Sequence, residues 1–138
     1  MQSALRILVV DDEVIACKRL KLSLSSNEYT VECVPGGAEA VQRLESESFD
    51  IVVTDICMDQ VDGIAVLDAV SRLHPQSKTI VITGYASVEV AREALAKGAF
   101  DFIAKPFQPK DLRVIIDKAA KEIRRVRPKD RADGSSGN

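Results

Sequence analysis

The feature that most constrains this chain is a fivefold alternation of short apolar runs with amphipathic stretches. Residues 5–10 form an apolar run around Arg6, after which Val14, Cys17, Leu20, Lys21 and Leu24 recur at helical spacing among mostly polar residues. The same couple returns as a strand over 29–34 and a helix over 38–47, then as a strand over 51–54 and a helix over 64–73. It returns again as a strand over 79–83 with a helix over 88–97 closed by Gly98, and as a strand over 102–104 with a helix over 110–126.

Strict alternation calls for a parallel sheet covered by helices on both faces, because each right-handed crossover returns the chain beside its predecessor. The fold class is α/β, a single doubly wound (βα)5 domain. The first, third and fourth strands are apolar throughout, whereas Tyr29, Val31 and Cys33 alternate with Thr30 and Glu32, which places the second strand at an edge. That suits a flavodoxin-like five-stranded sheet of order 2-1-3-4-5, with its switch point between strands one and three. The 138 residues suffice for one domain, expected over residues 1–127. Residues 128–138 are polar, Gly/Ser-rich and aperiodic, and read as a disordered tail or linker stub.

With 46% hydrophobic residues, 29% charged and a net charge of -2, the chain has no global attraction to nucleic acid or to an anionic membrane. Cys17, Cys33 and Cys57 are odd in number and scattered in sequence, so neither a disulfide framework nor a zinc site is indicated, and a reducing, cytoplasmic setting is expected. No signal-peptide pattern or long apolar span occurs. Arg124, Arg125, Arg127 and Lys129 read as a solvated face with no direct nucleic-acid contact, and His74 before Pro75 reads as a surface turn residue.

In open parallel sheets ligands bind beyond the carboxyl ends of the strands. The first strand ends in Asp11, Asp12 and Glu13, the third in Asp55, the fourth in Thr83 and the fifth in Lys105 before Pro106. Singly, each acid reads well as a helix cap, Thr83 as a turn residue and Lys105 as a solvated cation. Together, the fold brings Asp11, Asp12 and Asp55 side by side, where two charges ~4 Å apart repel by ~4 kcal/mol at an effective dielectric of 20. A hard divalent cation offsets that repulsion, and Mg²⁺ suits a few carboxylates with backbone carbonyls and retained waters. With Lys105 as a second positive charge, the set is equipped for phosphoryl transfer, with Asp55 as the nucleophile.

At this point the chain resembles the receiver domain of two-component response regulators over about residues 4 to 126. The matching features are VVDDE at residues 9–13, Asp55 in DICM with Gly63 after it, TGYAS at 83–87, and GAFDFIAKPF at 98–107. TGYAS and DFIAKPF are most similar to receivers found ahead of the ATPase modules of sigma-54-dependent activators. The resemblance implies that Asp55 accepts a phosphoryl group from the histidine of a sensor kinase or from a small phosphodonor. It implies Mg²⁺ held by Asp12, Asp55 and the carbonyl of Cys57, with Asp11 acting through water. Lys105 would pair with Asp55, Thr83 would donate its hydroxyl to the phosphoryl group, and Phe102 would be the switch aromatic. It also implies a cis bond before Pro106, tuning of phosphate lifetime by Cys57 and Tyr85, and a signalling switch in place of a turnover enzyme. The output surface would be the fourth helix, fifth strand and fifth helix, acting on an output domain, a partner or a second copy.

One departure stands out. The family usually has proline four residues after the phosphoacceptor, and this chain has Asp59, which either caps the third helix or assists a metal-bound water. Three rival readings were weighed. A flavin module needs a phosphate loop that the sequence DDE would repel. An Asp-dependent phosphohydrolase places its acids as DxD after the first strand. A receiver-like interaction domain would have no need of phosphate.

Overall fold

The computed structural model describes residues 3–56, 63–84 and 88–126. Five strands, β1 (Leu5–Val10), β2 (Tyr29–Val34), β3 (Ile51–Asp55), β4 (Lys78–Thr83) and β5 (Asp101–Ala104), alternate with five helices, α1 (Val14–Leu24), α2 (Gly37–Ser46), α3 (Gly63–Leu73), α4 (Val88–Ala96) and α5 (Pro109–Arg125). The strands form one parallel sheet in the order β2-β1-β3-β4-β5. Observed boundaries differ from those expected by at most one residue, as fraying ends do.

The burial of each strand follows its place in the sheet. Every residue of β3, between β1 and β4, is buried, whereas all four residues of the edge strand β5 are half-buried. On the other edge, β2 hides Tyr29 and Val31 and exposes Thr30. Alternate side chains serve opposite faces, the period-two rule of strands. Ile7, Val9, Ile51, Val53, Ile80 and Ile82 pack under α1 and α5, which contribute Leu20, Leu24, Leu112 and Ile116. Leu8, Val10, Val52 and Val81 pack on the other face under α2, α3 and α4. Truncating a core residue such as Ile116, wholly buried, to alanine costs about 2–5 kcal/mol.

The α5 helix begins with a capping box: the Gln108 side chain accepts the Asp111 N–H, and the Asp111 carboxylate accepts the Gln108 N–H at 3.0 Å. Gly98, at φ 104°, closes α4 in the left-handed region that glycine enters without penalty. Several ties were not foreseen. The Tyr29 hydroxyl donates to Asp117 Oδ1 at 2.5 Å, joining β2 to α5, and Arg113 donates to the Ser23 carbonyl, joining α5 to the end of α1. His74 is half-buried, with Nε2 2.7 Å from the Leu44 carbonyl oxygen, so it bridges the ends of α3 and α2 and is more than a surface turn residue.

Beside α2, Arg6 and Arg43 each pair with both Glu32 and Glu47, and both guanidiniums lie over the Phe49 ring, at 4.4 Å and 5.4 Å from its centroid. Hydrogen bonds from Arg43 and then Arg6 hold the Glu47 carboxyl down at about 2. Among the described residues no helix is long and apolar enough to cross a membrane.

Candidate functional site

Parallel register delivers four polar side chains to the carboxyl rim. Asp55 is the last residue of β3, opposite Ile82 of β4, and Thr83, one residue on, stands opposite Ala104 of β5. The Lys105 N–H then donates to the Thr83 carbonyl at 2.8 Å, extending the β4–β5 ladder by one step and fixing where the lysine leaves the sheet. On the other side of β3, Asp11 follows β1, its N–H bonded to the Val34 carbonyl at 3.2 Å. The central strands are so apolar that any polar group at the rim sits on a dry floor.

Asp55 is 5% exposed, Asp11 2% and Thr83 2%. Lys105 Nζ lies 2.7 Å from Asp55 Oδ2, a charge-assisted hydrogen bond across the rim. Burial works against the lysine charge, but the hydrogen bond and field of Asp55, followed by Asp11 and Glu13, outweigh it and raise the Lys105 pKa. Burial raises the Asp11 carboxyl, opposed by the Glu13 N–H and by Lys105, while the Asp55 charge pushes it further up. Asp11 Oδ1 accepts that N–H at 2.9 Å, so the local turn role allowed for it is present alongside its place in the site.

The Thr83 hydroxyl is buried and finds no hydrogen-bond partner among the described residues. A buried hydroxyl without a partner costs about 1–3 kcal/mol, and Thr79 near the start of β4 is in the same position among the described residues. Gly63 lies against the back of the site: a Cβ there would be 2.6 Å from both the Asp55 carbonyl oxygen and the Ile56 Cα. Its N–H donates to the Ile56 carbonyl at 3.2 Å, so α3 starts directly against the Asp55 backbone. The Lys105–Pro106 bond is cis. Phe102 is half-buried on β5, packed against the cluster of Ile56, Leu67, Val81, Ala94 and Ala99. An apolar groove of about 300 Å³ runs from Asp11 and Lys105 along Ala16, Arg19 and Leu20 of α1 to Phe107 and Pro109.

Of the three acids expected to converge, the structure brings Asp11 and Asp55 together; Asp12 is exposed. Among the described residues no three acidic, histidine or cysteine side chains form a cluster able to hold a metal. Buried Asp11 and Asp55, with Asp12 exposed to solvent next to Asp11, fit a hard cation that keeps much of its water, the habit of Mg²⁺, better than one needing an all-protein cage. Cys57, Asp59, Tyr85, Arg127 and Lys129 lie outside the described residues, as do residues 128–138. Sequence reasoning missed the backbone-packing role of Gly63, for which the glycine itself was the only signal.

A doubly wound parallel sheet with acids at the ends of its neighbouring first and third strands defines the class: a flavodoxin-like domain whose working site is the carboxyl rim. The chain belongs to the response regulator receiver domain family, whose profile matches residues 7–117. It is 37% identical over 113 residues to the transcriptional regulatory protein ZraR of Escherichia coli K12, covering 82% of this chain and 26% of that one. It is 35% identical over 127 residues to the regulatory protein AtoC of the same organism, covering 88% and 28%. The chain thus spans about a quarter of the length of these curated relatives. Among solved structures, a CheY-like receiver domain protein from Methanospirillum hungatei JF-1 is similar at a TM-score of 0.84 and 33% identity, covering 89% of this chain and 98% of that one. NtrX from Brucella abortus is similar at 0.82 and 30%, covering 91% and 29%.

Proposed function

We propose that this domain is a phosphorylation-dependent signalling switch in which Asp55 takes a phosphoryl group from the phosphohistidine of a sensor kinase or from a small phosphodonor. The reading rests above all on the pairing of buried Asp55 with Lys105 at 2.7 Å beside a Thr83 hydroxyl that has no partner among the described residues. An oxygen of the Asp55 carboxylate attacks phosphorus, an acyl phosphate bond forms, and the bond from phosphorus to the donor nitrogen or oxygen breaks. Lys105 holds the carboxylate in place and then faces the phosphoryl oxygens. The Thr83 hydroxyl donates to a phosphoryl oxygen. Asp55, Asp12 and the carbonyl of Cys57 would hold Mg²⁺, with Asp11 acting through water, and the ion would supply charge neutralisation for the transferring group. Cys57 and Tyr85 tune the lifetime of the phosphate, and Asp59 alters the loop that usually carries proline.

The donor approaches along the groove between α1 and the loop after β5, where Arg19 and Lys105 attract the phosphoryl group. A phosphate adds about -1.5 to -2 charge and three acceptors, enough to draw Thr83 toward it. Phe102, half-buried beside the α4 residue Ala94, turns inward into the vacated space, and the face of α4, β5 and α5 changes its affinity for an output domain, a partner or a second copy. The domain spans residues 1–127, works in the cytoplasm, does not itself contact nucleic acid, and is closest in kind to receivers of sigma-54-dependent activators. It catalyses its own phosphorylation and dephosphorylation but turns over no separate substrate.

The test is phosphoryl incorporation from a small phosphodonor with Mg²⁺, followed by intact mass and peptide mapping. The parent gains one phosphoryl group on Asp55 and Asp55→Asn gains none. Incorporation that survives Asp55→Asn sinks the nucleophile assignment, and a parent that takes up no phosphate favours an interaction domain that works without it.

A further inference from the structure

Cys17 and Cys33 stand 16 positions apart in sequence, yet the fold gathers them around one residue of β1. Cys33 pairs in register with Val9, and the Cys17 thiol donates to the Val9 carbonyl at 3.7 Å. The Cys33 thiol donates to the Cys17 carbonyl at 3.0 Å, which sets the β2 side chain directly against the Cys17 backbone. Both are free thiols. Cys17 is 3% exposed, in the core under α1, whereas Cys33 is half-buried on the edge strand β2. Neither belongs to the rim machinery described above.

We propose that Cys17 and Cys33 are an oxidisable dithiol that low-molecular-weight disulfides convert to an intramolecular disulfide fastening α1 to β2. Cys33, the outer thiol, meets the reagent: its thiolate attacks one sulfur of the small disulfide, a mixed disulfide forms on Cys33, and one small thiolate leaves. The Cys17 thiol then gives its proton to solvent, its sulfur attacks Cys33 Sγ, and the second small thiolate leaves. Two protein thiols are oxidised and one small disulfide is reduced to two thiols. Burial and the neighbouring Cys33 both disfavour the Cys17 thiolate, so the second step is the slower one and the mixed disulfide on Cys33 is a transient species. The link closes the loop running through most of α1 and most of β2, restricting the unfolded chain more than the folded one.

The experiment treats the full chain with oxidised glutathione under mildly alkaline conditions and follows it by non-reducing peptide mapping and thiol alkylation. Three alkylatable cysteines fall to one, a Cys17–Cys33 peptide appears after a glutathione adduct on Cys33 has risen and decayed, and the unfolding temperature rises by several degrees until dithiothreitol reverses it. Cys17→Ala retains glutathione on Cys33 indefinitely. Cys33→Ser, altered at the less buried site and therefore the safer variant for folding, forms no internal disulfide. A lasting adduct on Cys33 in the parent, a linkage through Cys57, or three cysteines that stay alkylatable would each overturn the assignment. Because phosphoryl uptake is not measured, failure here leaves the Asp55 reading intact.

Discussion

Beside α2, two arginines and two glutamates form four ion pairs around Phe49, so that each charge meets two of the opposite sign. At the carboxyl rim Asp55 meets Lys105, and a second carboxylate, Asp11, lies buried nearby without an equal gain in positive charge. The first cluster is half-exposed and balanced; in the second, two buried carboxylates share one half-exposed lysine among the described residues. A balanced cluster has its full value in the folded chain as it stands. An unbalanced one retains like-charge repulsion that a further cation would relieve, as the proposed function requires.

The contrast breaks most decisively at Asp55. Asp55→Asn should abolish phosphoryl incorporation while leaving unfolding close to that of the parent; a variant that loses both would make Asp55 a structural residue, and a denaturation curve beside the labelling assay decides. Next comes Lys105→Ala, which should slow phosphorylation by about 100-fold, the order seen when one charge-stabilising group is removed from a transition state. Single-turnover kinetics would show it, and a change below threefold would deny the lysine its role. Thr83→Ala should slow the same step by about tenfold, consistent with one hydrogen bond to a charged acceptor. The same substitution should also abolish the spectral changes on the α4–β5–α5 face when the phosphorylated and free forms are compared.

Two smaller effects of opposite sign sharpen the comparison. Asp11→Asn removes one of two like charges from the dry rim and keeps an oxygen for the Glu13 N–H, so it should stabilise the fold by about 1 kcal/mol in urea titration. Glu47→Gln should destabilise it slightly, and only where the carboxylate is charged. The folded Glu47 pKa, at about 2, lies below its ordinary 4.5, so its stabilising contribution is complete above pH 4.5 and fades as the pH falls toward 2. Parent and Glu47→Gln should therefore differ in urea midpoint at neutral pH and converge near pH 2. A difference that widened on acidification would refute the side cluster as described.

The alternation of apolar runs with helical stretches carried the topology, because a parallel sheet leaves few ways to return the chain. It also carried Asp55, Thr83 and Lys105, since each directly ends a strand whose register the sheet dictates. What could not be read was which of two adjacent acids turns inward: Asp11 is buried and Asp12 exposed, a difference set by the backbone direction after Val10 and not by residue type. Contacts between elements were equally hidden. Arg6, Arg43, Glu32 and Glu47 look like ordinary surface charges until β1, β2 and α2 are placed side by side. Cys17 and Cys33 are scattered in the sequence and neighbours only because Val9 lies between their elements.

The bonds from Tyr29 to Asp117 and from Arg113 to Ser23 hold the last helix against the far edge of the sheet. That helix is ballast. Under the proposed switch, the fifth strand and the helix before it would shift against this anchored helix, so that the shared output face would change by a relative displacement of its parts.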